Sequence, residues 1–164
     1  MKTIKIGFSK PKGFKPVAKI IQLVIKKPYN HVCYMFYSEN LERHIVYEAV
    51  GSGIRFVGLN LWSSHATLVK SYDIEVTPET YKKIMQVCVD YSGQDYGFVQ
   101  NIGVLVAQLF NLEVNPFPKY QNCSELIARV LQNDGFEFDK DLDLVTPADI
   151  ELAILKKNYS ENET

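Results

Sequence analysis

Three residues of this chain carry side chains that could together make a centre for nucleophilic chemistry: Cys123 as a sulfur nucleophile, His31 as its base, and Glu48 as a carboxylate that orients the imidazole. Asn122 is a good helix N-cap, and Glu125 three residues later can reach back to it, so Cys123 falls in the first turn of a helix. There the backbone N–H groups and the positive end of the helix dipole stabilise a thiolate. The competing reading is a packed core cysteine, since Cys123 continues a helical stripe formed by Leu126, Ile127, Val130 and Leu131.

His31 opens a run whose alternation puts His31, Cys33, Met35 and Tyr37 on one face of a strand and Val32, Tyr34 and Phe36 on the other. Glu48 lies among Val46, Tyr47, Ala49 and Val50, where an unpaired carboxylate is costly. With Glu39-Asn40 as a two-residue hairpin turn, Ser38 pairs with Leu41 and His31 comes directly opposite Glu48. A turn two residues longer keeps both on one face but offset, and a shift of one residue separates them. A His–Glu pair that only neutralises a buried charge is the structural alternative.

The elements that must hold these residues follow from the pattern. Strands are expected at 3–8, 31–37, 45–50, 54–59 and 67–76, with Gly51-Ser52-Gly53 turning the chain between the third and fourth. Helices are expected from Pro16 to just before Pro28, from a Thr77 cap to Tyr91, over 96–110, from Cys123 to about Asn133 before Gly135, and briefly after Thr146-Pro147. Tyr81, Ile84, Met85, Val87 and Cys88 read as core, and the apolar 97–110 segment reads as a buried helix. Strands early and helices late make an α+β domain, a small antiparallel sheet packed against helices. It is expected to span residues 1–156, with a flexible C-terminal tail over 157–164.

The chain has 164 residues, 46% of them hydrophobic and 23% charged, which suits one core. A net charge of −1 provides no global field for nucleic acid, and Lys10, Lys12, Lys15, Lys19, Lys26 and Lys27 read as a solvated basic face. Three cysteines without paired spacing, no signal-like leader and no apolar run of bilayer length lead to the expectation of a cytoplasmic protein with no transmembrane segment. A metal site is the first alternative, but no Cys-x2-Cys or His-x3-His pair supports His31-x-Cys33, so no metal and no cofactor are expected. His44 and His65 read as surface or turn residues, His65 with the added option of bordering a groove.

The runs Tyr29-Asn30-His31-Val32, Val46-Tyr47-Glu48-Ala49-Val50-Gly51-Ser52-Gly53-Ile54 and Asn122-Cys123-Ser124-Glu125-Leu126-Ile127 resemble the circularly permuted branch of the NlpC/P60 superfamily. These are papain-like cysteine hydrolases in which histidine precedes cysteine. Gly93-Gln94-Asp95-Tyr96 and Thr146-Pro147-Ala148-Asp149 are lesser matches in the same order. The resemblance implies a papain-like fold and a peptidase or amidase that forms an acyl-enzyme on Cys123, with His31 as base and Glu48 as orienting acid. It implies an oxyanion site built partly from the Cys123 backbone N–H, with Tyr96 or Gln121 as side-chain donors. Peptide, peptidoglycan-fragment and acyl-ester substrates all fit it. A lipid-directed thioesterase or acyltransferase on the same triad, and a noncatalytic papain-like binding module, are the other readings.

Overall fold

The computed structural model describes residues 1–95, 98–116 and 122–161, without the side chains of 98–99 and 158–161. Five antiparallel strands form one sheet in the order β4-β3-β2-β1-β5: β1 Lys2–Pro11, β2 His31–Ser38, β3 Arg43–Val50, β4 Gly53–Gly58 and β5 Ala66–Val76. The helices are α1 Pro16–Ile25, α2 Leu59–His65, α3 Pro78–Tyr91, α4 Phe98–Phe110, α5 Cys123–Gln132 and α6 Pro147–Glu161. The arrangement is α+β, as the order of strands and helices implies.

Strand alternation divides the interior into two layers. Ile4, Ile6, Phe8, Val32, Tyr34, Phe36, Tyr47, Ala49 and Ile54 face one side and pack with Leu126, Ile127 and Val130 of α5, Ile84 and Cys88 of α3, and Ile150 and Ile154 of α6. Cys33, Met35, Val46 and Val57 face the other side, where Trp62 of α2 covers them. Seven residues are too few to display helical periodicity, so α2 leaves little trace in the sequence.

The β2–β3 hairpin differs from expectation. Ser38 pairs with Arg43, not Leu41, and residues 39–42 form a four-residue loop closed by Glu42 N–H donating to the Glu39 carbonyl at 3.3 Å. Glu42 takes a left-handed φ of 47°, and Leu41 is exposed, so no burial draws it into the strand. His31 and Glu48 therefore stay on one face but are offset by two residues.

Two further readings change. The α4 helix is not a buried core helix: Val104 and Ala107 are covered, whereas Ile102, Leu109 and Phe110 are exposed. The C-terminal helix is not short, since α6 continues through Glu161, and Lys157 Nζ reaches the Asp134 carbonyl at 2.7 Å.

Glu151 fastens α6 to the sheet. It is 3% exposed and accepts from Tyr29 Oη at 2.7 Å and Tyr72 Oη at 2.9 Å, with Lys27 and Lys70 as cationic partners. Burial opposes ionisation, but the Lys27, Lys70, Tyr29 and Tyr72 donors outweigh it and hold the carboxyl down at about 2. A depressed folded-state pKa contributes stability that is complete above the ordinary value of 4.5 and is lost as pH falls toward about 2. Glu151→Ala leaves these donors without their acceptor and is expected to cost about 3–5 kcal/mol in urea unfolding near neutral pH. The difference from the parent protein should shrink as the medium is acidified through that range.

Candidate functional site

The site forms where the β2–β3 ladder ends. The last paired residues are Tyr34 and Tyr47, although β2 begins at His31 and β3 continues to Val50. Beyond that point the β2 end pairs only with β1, through Val32–Phe8 and His31–Ser9, and the β3 end pairs only with β4. The free inner edge admits the N-terminus of α5, which packs on β2 and β3. The Val32 backbone there acts on the Cys123 thiol and helps to lower its pKa.

Local sequence sets the cysteine in place. Asn122 caps α5, its Oδ1 accepting from Glu125 N at 2.9 Å, and Cys123 is the first helical residue. Glu125 does not reach back to the cap; its buried carboxylate instead takes Arg129 Nη2 at 2.6 Å and Gln100 Nε2 from α4. The expected capping box is thus half formed, and its carboxylate joins two helices.

His31, Glu48 and Cys123 come together. His31 Nε2 lies 3.4 Å from Glu48 Oε2, an ion-pair contact without hydrogen-bond geometry, and the ring interacts electrostatically with the Cys123 thiol as well. Burial pushes the Cys123 thiol up, but the His31 imidazolium, the Val32 N–H and the Ser124 side chain outweigh it, so the thiol pKa is lowered. For His31, burial disfavours the charged ring, and the Cys123 thiolate and Glu48 carboxylate overcome this and raise its pKa. Each group thus favours the charged form of the other. Cys33 and Cys88 differ: burial raises both, Cys88 to about 12.

Glu48 is 1% exposed and has more partners than a histidine. Arg55 donates through Nη2 at 2.8 Å and Nε at 3.1 Å, Trp62 Nε1 donates at 3.1 Å, and His65 Nε2 lies 3.6 Å away. Burial opposes ionisation, and His31 and Arg55 reverse this, holding the carboxyl at about 2. Arg55 was legible: with Val50 paired to Gly53 across Gly51-Ser52, counting back places Arg55 opposite Glu48. Trp62 and His65 sit on the unforeseen α2; His65 is exposed, as expected of a surface residue, and is also the outermost neighbour of this carboxylate. His44 stacks edge-on against Tyr37 away from the site. Tyr96 and Gln121, the expected oxyanion donors, lie outside the described residues.

The lesser motifs frame the same region. Gly93 N–H donates to the Ile54 carbonyl at 2.8 Å and Ile54 N–H to the Gln94 carbonyl at 3.0 Å, so the two glycine-bearing runs meet edge to edge. A Cβ on Gly53 would stand 3.0 Å from the Gln94 carbonyl oxygen, and its φ of 110° excludes most other residues. Thr146 and Asp149 cap α6 reciprocally, Thr146 N–H reaching Asp149 Oδ2 at 2.8 Å. Thr146 and Pro147 also line a cleft of about 70 Å³ that opens on Cys123 and His31, opposite Ile21 of α1 and Val104 of α4. Asn122 lines this cleft too, and among the described residues its buried Nδ2 has no hydrogen-bond partner. Among the described residues no group of three His, Cys, Asp or Glu is arranged to hold a metal ion.

No family model matches the chain, and no curated protein matches it. Among solved structures, the metalloprotein yiiX of Escherichia coli O157:H7 (DUF1105) is similar, with a TM-score of 0.53 and 21% identity over 81% of this chain. The chain spans 65% of that structure's length. The likeness is one of fold.

The charge state of the couple is open to measurement. A free thiol slows roughly a hundredfold in alkylation between about pH 8 and pH 6, following its thiolate fraction. Iodoacetamide is expected to label Cys123 with little loss of rate over that interval, and to spare Cys33 and Cys88. His31→Ala should restore the steep dependence.

Proposed function

We propose that the protein is a papain-like cysteine hydrolase of the circularly permuted NlpC/P60 kind that its sequence resembles, cleaving an amide or ester through an acyl-enzyme on Cys123. One observation carries this reading: a buried histidine ring interacts with both a fully buried carboxylate and a cysteine at a helix N-terminus, whose thiol pKa is lowered by it.

In this mechanism the Cys123 thiolate attacks the substrate carbonyl carbon, and the C–S bond forms as the carbonyl electrons move onto oxygen. Collapse of the tetrahedral intermediate expels the amine or alkoxide, which takes its proton from the His31 imidazolium. Neutral His31 then removes a proton from water as it attacks the thioester, and the released acid leaves the thiolate–imidazolium couple restored. Glu48 keeps the ring oriented and favours its charged form, while Arg55 and Trp62 hold the carboxylate still.

The tetrahedral oxyanion needs donors. The Cys123 backbone N–H is one, from the orphan amides of the first helical turn. Asn122 Nδ2 is a second, because its amide oxygen is committed to the cap and its buried nitrogen has no partner among the described residues, in a residue that lines the same cleft as Cys123.

Activated esters provide the test. p-Nitrophenyl acetate should give a burst of one equivalent and an acetyl adduct on Cys123, both absent in Cys123→Ala and His31→Ala. Asn122→Asp conserves the cap, since aspartate caps as well as asparagine, but removes the donor. It should leave Tm within about 2 °C and lower kcat on the order of a hundredfold, with little change in KM. A protein that forms no adduct with any activated acyl donor is not this hydrolase. The aliphatic walls formed by Ile21, Ile25, Val104 and Leu105 favour acyl esters as a second substrate class. That reading requires kcat/KM to rise from the acetyl to the octanoyl ester.

A further inference from the structure

The α1 helix is apolar around most of its circumference, yet Ala18 is its one buried residue, the others being half-buried or exposed. A helix of that composition is normally covered on all sides. Ile21 and Ile25 turn inward to the cleft, but Val17, Ile20 and Leu23 point away from it, and Phe14 precedes them in the loop. Phe14 is 78% exposed and Leu23 76%.

The charges around this stripe have one sign. Residues 1–38 contain eight lysines and no acidic residue, in a chain whose net charge is −1. Lys2, Lys5 and Lys27 have carboxylate partners in Glu39, Asp73 and Glu151. Among the described residues Lys10, Lys12, Lys15, Lys19 and Lys26 have none, and all five are exposed. Lys10, Lys12, Lys15 and Lys19 line one open concavity of about 310 Å³ beside α1. Lys15 and Lys26 cap the two ends of α1 and Lys19 lies one turn before Leu23, so lysines flank the exposed aliphatic side chains.

We propose that α1 and the loop before it form a docking surface for an anionic lipid bilayer, with Phe14, Val17, Ile20 and Leu23 entering the acyl boundary and the lysine concavity meeting the headgroups. Lysines beside a single apolar stripe match the interfacial mode of binding. A nucleic acid would make use of the charge and leave Phe14 and Leu23 unexplained, and a second copy of this chain would bring two like-charged lysine clusters together. The basic face expected from sequence is therefore one side of an amphipathic device. Because Ile21 and Ile25 lie on its inner side, docking sets the mouth of the Cys123 cleft close to the membrane. The surface is independent of whether Cys123 is catalytic.

Vesicle sedimentation of the full chain tests this. The protein should partition onto vesicles of phosphatidylcholine with phosphatidylserine, weakly or not at all onto phosphatidylcholine alone, and less as salt is raised. Lys15→Ala with Lys19→Ala should weaken binding roughly 30-fold, from about 1 kcal/mol per lysine at such a surface. Phe14→Ser with Leu23→Ser should weaken it on the order of a hundredfold. All four side chains are exposed, so Tm should hold in both variants, and Cys123→Ala should bind as the parent does. The proposal is overturned if the parent protein stays in the supernatant, if the Phe14/Leu23 variant binds as well as the parent, or if Leu23→Ser dissolves a dimer seen by analytical ultracentrifugation.

Discussion

A single buried negative charge organises this structure. Glu48 is 1% exposed on the inner face of a sheet, and a carboxylate there is tolerable only if its oxygens are filled by donors. Arg55 supplies charge, Trp62 a neutral N–H, and His31 and His65 the remaining neighbours. They come from three elements: β4, the middle and end of α2, and the start of β2. The β3–β4 register, the placement of α2 and the splay of β2 from β3 are therefore coupled through one group. Arg55 also limits what His31 receives, since the guanidinium takes the shorter contacts and neutralises much of the carboxylate charge.

The second constraint is the place where the sheet stops being a sheet. A ladder that continued to His31 would occupy the Val32 N–H and leave no edge for α5. Its early end at Tyr34–Tyr47 lets a helix N-terminus on one face meet a histidine that opens the central strand. A thiolate in that position draws on three stabilising sources: the cationic ring, a strand amide and the first turn of the helix. Those together exceed a desolvation cost that pushes the Cys88 thiol upward by itself and the Cys33 thiol together with the nearby Glu48 and Cys123 charges.

The helices that bound the cleft are its least buried parts. The outer sides of α1 and α4 carry Leu23, Leu109 and Phe110 into solvent while their inner sides close over Cys123. Such a wall gains less from tertiary packing than α5, where nearly every residue is covered. The Glu125–Gln100 bond is the polar tie between this wall and the nucleophile helix. Movement of α4 would then be felt at the first turns of α5, where the cap and the sulfur lie.

By itself the sequence determined whatever depends on local pattern. Alternation settled which residues of β2 share a face, Asn122 settled where α5 begins, and the glycines around Ile54 settled a turn that only small residues permit. Two-residue periodicity also ensured that His31 and Glu48 would share a face for any even shift in register. Their offset was another matter, because loop length depends on whether Leu41 finds a surface to cover, and it finds none. Trp62, His65 and the exposure of α4 were likewise decided by long-range packing: a seven-residue helix has no period to read, and apolar sequence alone does not say which helical face another element will cover. Local geometry repeats with the chain, whereas the partners of a buried charge are chosen in space.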